Sequence, residues 1–104
     1  MKIVLTTCPP KNFKKIRDQI LNEKLSTCVL EIKLNGSSYW WDGKILKDDK
    51  EVLCLFKTSD KLVPKLMKRI KELHPYKVPF IGVLNVEKIN EEYLKWLKEV
   101  LVIY

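Results

Sequence analysis

The sequence is short of the side chains that most catalytic chemistry needs. It holds one histidine, three cysteines and three glycines in 104 residues. No Ser–His–Asp set, no acid pair of readable spacing and no phosphate-cradling glycine loop can be picked out, so a non-enzymatic protein is expected. Cys8, Cys28 and Cys54 are odd in number and show no CxxC spacing. That argues against a secreted disulfide framework and a structural zinc site, and it fits a reducing cytosol. The longest apolar runs, Val52 to Phe56 and Val100 to Tyr104, are far too short to cross a bilayer. Ile3–Val4–Leu5 runs straight into Thr6 and Thr7 without the pattern of a signal peptide. The expectation is one domain over residues 1–104, cytoplasmic, with no membrane partner.

What the chain has in excess is lysine. The net charge is +7, yet arginine, which reads phosphates and bases through two parallel hydrogen bonds, occurs only at Arg17 and Arg69. The lysines are spread from Lys2 to Lys98 with no compact run. Such a distribution reads as a solubilising surface and not as a nucleic-acid footprint. Abundant lysine, glutamate and isoleucine also match the composition of heat-adapted proteins, so a thermostable protein is expected.

The hydrophobic pattern alternates between two periods. Lys2 to Thr7 reads as a buried strand ended by Pro9–Pro10. Phe13, Ile16, Ile20, Leu21 and Leu25 recur at helical spacing, with Asn12 as the candidate N-cap. Thr27 to Leu34 is a second strand. Ser38 to Trp41 and Lys44 to Leu46 flank Asp42–Gly43, a pair suited to a tight hairpin because both residues tolerate positive φ. Asp48–Asp49 marks a bulge or loop. In the strand Glu51 to Thr58, Val52, Cys54 and Phe56 face one side while Leu53, Leu55 and Lys57 face the other. Both faces are mostly apolar, so the one not packed on helices calls for a second cover, and another copy of the chain is the natural one. A second helix from about Asp60 carries Leu62, Val63, Leu66, Ile70 and Leu73 inward, with Pro64 in its first turn and His74–Pro75 at its end. Phe80 to Val86 is the fourth long strand, and Asn90 caps a last helix through Leu94, Leu97 and Leu101. The order is a repeated split βαβ with a terminal helix. Right-handed crossovers make it an α+β, ferredoxin-like four-stranded antiparallel sheet with its main helices on one face.

Six pieces then carry a resemblance: Thr6–Thr7–Cys8–Pro9, Leu25–Ser26–Thr27–Cys28–Val29, Tyr39–Trp40–Trp41–Asp42–Gly43–Lys44, Phe56–Lys57–Thr58, His74–Pro75–Tyr76–Lys77–Val78–Pro79 and Tyr93–Leu94–Lys95–Trp96–Leu97. In this order and spacing the chain resembles the CutA family of divalent-cation tolerance proteins from end to end. The resemblance implies a tightly packed homotrimer, a role in tolerance to copper and other divalent cations, and a cleft between subunits like that of PII-type signalling proteins. In part of that family copper is held by a first-strand cysteine and two adjacent histidines; those positions here are Thr6, Leu73 and His74. The family also usually places an asparagine and a glutamate where this chain has Leu30 and Phe80.

His74 is therefore a candidate ligand, with Cys8 as its partner if the first strand reaches that far, and Cys28 as a further soft donor; copper or another divalent cation is the expected cofactor. The bland role for His74 is to satisfy carbonyls at a helix end. Lys57 on an apolar face, together with Tyr76 and Trp41, is the expected pocket for a small anionic ligand in the inter-subunit cleft. Tyr39 and Trp40 are assigned to the trimer interface, where aromatics dominate binding energy. Two other readings are an RNA-binding ferredoxin-like domain and an enzyme with a site shared between subunits. The third strand, Val52–Leu53–Cys54–Leu55–Phe56, lacks the basic, glycine and aromatic pattern of RNA-recognition strands.

Overall fold

A computed structural model describes residues 1–101 of the chain; part of the run from Val100 to Tyr104 lies outside them. The elements are β1 (Lys2–Cys8), α1 (Pro10–Asn22), β2 (Cys28–Lys33), β3 (Ser37–Trp41), β4 (Lys44–Asp49), β5 (Val52–Thr58), a 3-10 turn (Asp60–Leu62), α2 (Val63–Leu73), β6 (Ile81–Asn85) and α3 (Glu91–Val100). Four strands form one sheet in the order β2-β5-β1-β6, every neighbouring pair antiparallel. This is the expected ferredoxin-like plan. β3 and β4 form a separate two-stranded ribbon.

α1 lies over β2 and β5, and α2 over β1 and β6. Their apolar stripes, Phe13, Ile16 and Ile20 on α1 and Leu66 and Ile70 on α2, enclose Val4, Cys8, Val52, Cys54 and Phe56 from the sheet. Leu97 and Leu101 close the same core. Two hydroxyls bridge the strands to the loop behind α1. Thr58 Oγ1 donates to the Leu25 carbonyl at 2.7 Å, and Ser26 Oγ reaches the Lys57 carbonyl at 2.7 Å.

Helix boundaries depart from expectation for identifiable reasons. α1 begins at Pro10, two positions before Asn12, because proline's fixed φ and missing N–H suit the first helical position. Asn12 is inside the helix and its Oδ1 is buried without a hydrogen-bond partner. The helix also ends before Leu25, since Lys24 turns into the left-handed region at φ 54°. Asn90 does stand at the N-cap of α3, but its side chain makes no capping bond. The hairpin turn has φ 52° at Asp42 and 73° at Gly43, as a tight primed turn demands. β4 runs three residues past Leu46 because Asp48, at φ 56°, absorbs the extra residue as a bulge and bonds its N–H to Ser38 Oγ at 3.1 Å.

The other face of the sheet is apolar in register. Leu30, Leu55, Leu5 and Gly82 stand in one row across the strands; Ile32, Leu53 and Thr7 stand in the next; Cys28, Lys57, Ile3 and Leu84 form a third. Leu30 is 39% exposed, Ile32 45% and Leu84 54%. Tyr93 of α3 reaches this face, with the Lys57 ammonium 5.1 Å from its ring centroid.

Candidate functional site

The aromatic ribbon and the segment after α2 wall a groove of about 680 Å³. Tyr39, Trp40, Trp41 and Leu46 line it from β3 and β4; Tyr76, Val78 and Phe80 face them, and Thr7 and Glu51 form part of the base. Such a volume falls inside the range of roughly 300–1,000 Å³ usual for small-ligand sites.

Proline chemistry sets the far wall. Pro75 holds His74 in extended backbone, at φ −73° and ψ 137°, which ends α2 and turns the chain back along β1. The His74 ring then fixes the turn. Its Nδ1 accepts the Tyr76 backbone N–H at 3.1 Å, which leaves the proton on Nε2 to be donated to the Thr7 carbonyl at 2.8 Å. The ring of Tyr76 is 4.9 Å from that of His74. Its hydroxyl donates to Glu51 Oε2 at 2.8 Å. Burial, reinforced by this carboxylate, holds the Tyr76 phenol well above its usual pKa. On the ribbon, Tyr39 OH donates to Asp49 Oδ2 at 2.6 Å, which raises the Tyr39 phenol in turn. Phe80 is held from behind: Thr6 Oγ1 donates to its carbonyl at 2.6 Å, and its ring lies where a Cβ on Gly82 would stand.

The expected metal donors take other partners. His74 is 8% exposed with both ring nitrogens engaged, so no free lone pair is offered to a metal. Cys8 lies on β1, as the longer strand allowed, but its sulfur faces Cys54 at 3.7 Å inside the core. The thiol–thiol contact, with burial added, pushes the Cys54 pKa well above the usual thiol range. Cys28 is half-buried on β2, opposite Lys57. Among the described residues no group of three or more His, Cys, Asp or Glu is placed to hold a metal ion. The donors among the described residues of one chain do not fit a copper site.

The three residues expected to hold an anion between subunits do not share one groove within the chain. Trp41 and Tyr76 both line the groove, whereas Lys57 is outside its lining and stacked on Tyr93. Antiparallel register explains the separation: Lys57 sits near the Lys2 end of β1, and the groove opens at the Thr7 end. Tyr39 and Trp40, assigned to an interface, line the groove as well. Sequence reading missed Glu51 as a site residue, taking it only as the start of a strand. The available signal was an acid next to the apolar run Val52 to Phe56, where an unpaired charge needs a reason. Of the two hydrophobic departures, Phe80 lines the groove and Leu30 stands on the open sheet face.

Residues 2–100 match the family model for CutA1 divalent ion tolerance protein. A divalent-cation tolerance protein CutA from Pyrococcus horikoshii is 45% identical over 100 residues, covering 95% of this chain and 96% of that one. The solved structure of the PII-like protein CutA from Nostoc sp. PCC 7120, in apo form, superposes with a TM-score of 0.91 at 32% identity over the whole of both chains. A structure of the periplasmic divalent cation tolerance protein CutA from Archaeoglobus fulgidus gives 0.90 at 27% identity, covering 97% of this chain and 99% of that chain.

Proposed function

Because the chain belongs to the CutA1 divalent ion tolerance family, we propose that it works as a non-enzymatic homotrimer in the response to divalent cations, with PII-like signalling through a groove completed between subunits. The observation that carries this is the open sheet face. Leu30, Ile32, Leu53, Leu55 and Leu84 stand on the sheet face opposite the core, and an exposed apolar face of this kind marks an association surface. Its aliphatic makeup supports self-association over RNA binding, since RNA-recognition sheets present aromatics there. Residues 1–104 act as one unit of that assembly, with Tyr39 and Trp40 at the edge between copies.

Copper enters this reading only through donors supplied by more than one subunit, because His74 and Cys8 are already engaged within the chain. Among the described residues no helix is long and apolar enough to cross a membrane. The cytoplasm is the proposed location, on the strength of three free cysteines; the Archaeoglobus relative is described as periplasmic. Sedimentation velocity over a hundredfold range of protein concentration tests the proposal. A single species of three times 12.3 kDa supports it. A folded 12.3 kDa monomer at tens of micromolar overturns it.

A further inference from the structure

Glu51 is the one feature of the groove that its aromatic walls leave unbalanced. The residue is 6% exposed. Tyr76 donates to Oε2, and no hydrogen bond reaches Oε1 from the described residues. Nor does any described lysine, arginine or histidine lie within ion-pair distance of Glu51 or of neighbouring Asp49. The residue is largely enclosed, yet Oε1 is not sealed off, so a cationic head group entering the groove can reach it. The groove beside it is walled by Trp40, Trp41, Tyr39 and Phe80, whose ring faces attract positive charge. Lys77 also lines the groove, but it is exposed to solvent and makes no ion pair with Glu51, so the acid at the base keeps its charge uncompensated by it.

We propose that this groove is a binding site for a small organic cation, a primary ammonium or guanidinium compound, whose charged head meets Glu51 Oε1 and whose carbon stem lies between the indoles and Phe80. The proposal takes from the preceding reading only the groove's role as a ligand site. Charge complementarity selects the ligand: an acid at the base and aromatic faces on the walls disfavour an anion and favour a cation. A bare metal ion fits less well, since it needs several oxygen, nitrogen or sulfur donors converging on one point, and the walls are carbon.

The test is a titration of the full chain with n-butylammonium, guanidinium and, as a size-matched anion, butyrate, followed by calorimetry and by tryptophan fluorescence in a Trp96→Phe background, which leaves Trp40 and Trp41 as the emitters. Saturable binding of n-butylammonium or guanidinium that persists in about 0.15 M salt is expected, with butyrate silent, because enclosed pairs are screened less than surface ones. Glu51→Gln should weaken cation binding by about tenfold or more, as loss of a charged hydrogen-bond partner does. Trp41→Ala, which removes an exposed side chain outside the core, should weaken it by about threefold or more through the lost ring contact and keeps the test open if Glu51→Gln fails to fold. Butyrate binding better than n-butylammonium, no saturable binding of either cation, or unchanged affinity in folded Glu51→Gln or Trp41→Ala overturns the site. Sedimentation of the same samples separates the two readings: a trimer that binds no cation sinks this proposal alone, and a folded monomer sinks the assembly whatever it binds.

Discussion

On one side of β5, Val52, Cys54 and Phe56 are enclosed by α1 and α2; on the other, Leu53 and Leu55 remain half-exposed beside Leu30 and Ile32 of β2. The two faces are built from the same residue classes on the same backbone, one position apart. What separates them is the connectivity of the chain. Both crossover helices pack on one side, so one face is covered within the chain and the other is left open by it. Hydrophobicity alone therefore says that a face must be covered, and the helix connections say from where.

Substitutions on the two faces should fail in different ways. The largest effect is expected from Phe56→Ala, which empties a fully buried position at the centre of the sheet. A loss of roughly 3–5 kcal/mol in urea unfolding is expected. If the comparison holds, the strand content of any folded material is unaltered by dilution. Ile32→Lys acts on the opposite face. Far-ultraviolet circular dichroism should be kept, because the core is untouched, while association weakens by roughly 1.5–3 kcal/mol per interface copy of the side chain. Sedimentation at several concentrations reads this as a shift of the assembly midpoint; an unchanged trimer would break the comparison. Smaller again is Thr58→Val. It keeps shape at a buried site and removes only the 2.7 Å bond to the Leu25 carbonyl, for about 1 kcal/mol in the same unfolding experiment.

The sheet, the helices and their order were legible because each strand and helix carries its own period. The alternation of Val52 to Lys57 and the spacing of Phe13, Ile16 and Ile20 are local facts that the structure repeats. Element ends were less legible. Asn12 has the chemistry of a cap, yet the two prolines before it already satisfy the start of α1, and a competing local rule won. Of the candidate site residues, Trp41 and Tyr76 line one groove because the hairpin and the His–Pro turn are both local motifs. Lys57 lies away from the groove of its own chain because its position depends on register across three strands, which no window of sequence displays. Glu51 was missed for the same reason: its partner, Tyr76, is 25 residues away in the chain.

The smallest expected effect concerns the base of the groove and depends on pH. Burial and the Glu51 carboxylate raise the folded-state pKa of Tyr76 above the unfolded phenol's value of about 10. A group raised in this way favours folding while it is protonated. Its contribution is complete below about pH 10 and is lost as the pH climbs from there toward the folded-state value, because the unfolded chain releases the proton first. Tyr76→Phe removes that proton, so the wild-type and variant stability curves should run parallel from pH 6 to about 9 and converge above about 10. Lysines titrate in the same range but are common to both proteins, and the difference curve isolates the phenol. Curves that stay parallel up to pH 11 would mean that neither burial nor the hydrogen bond to Glu51 raises this phenol in the folded chain. The buried acid would then hold its place at the groove's base without Tyr76.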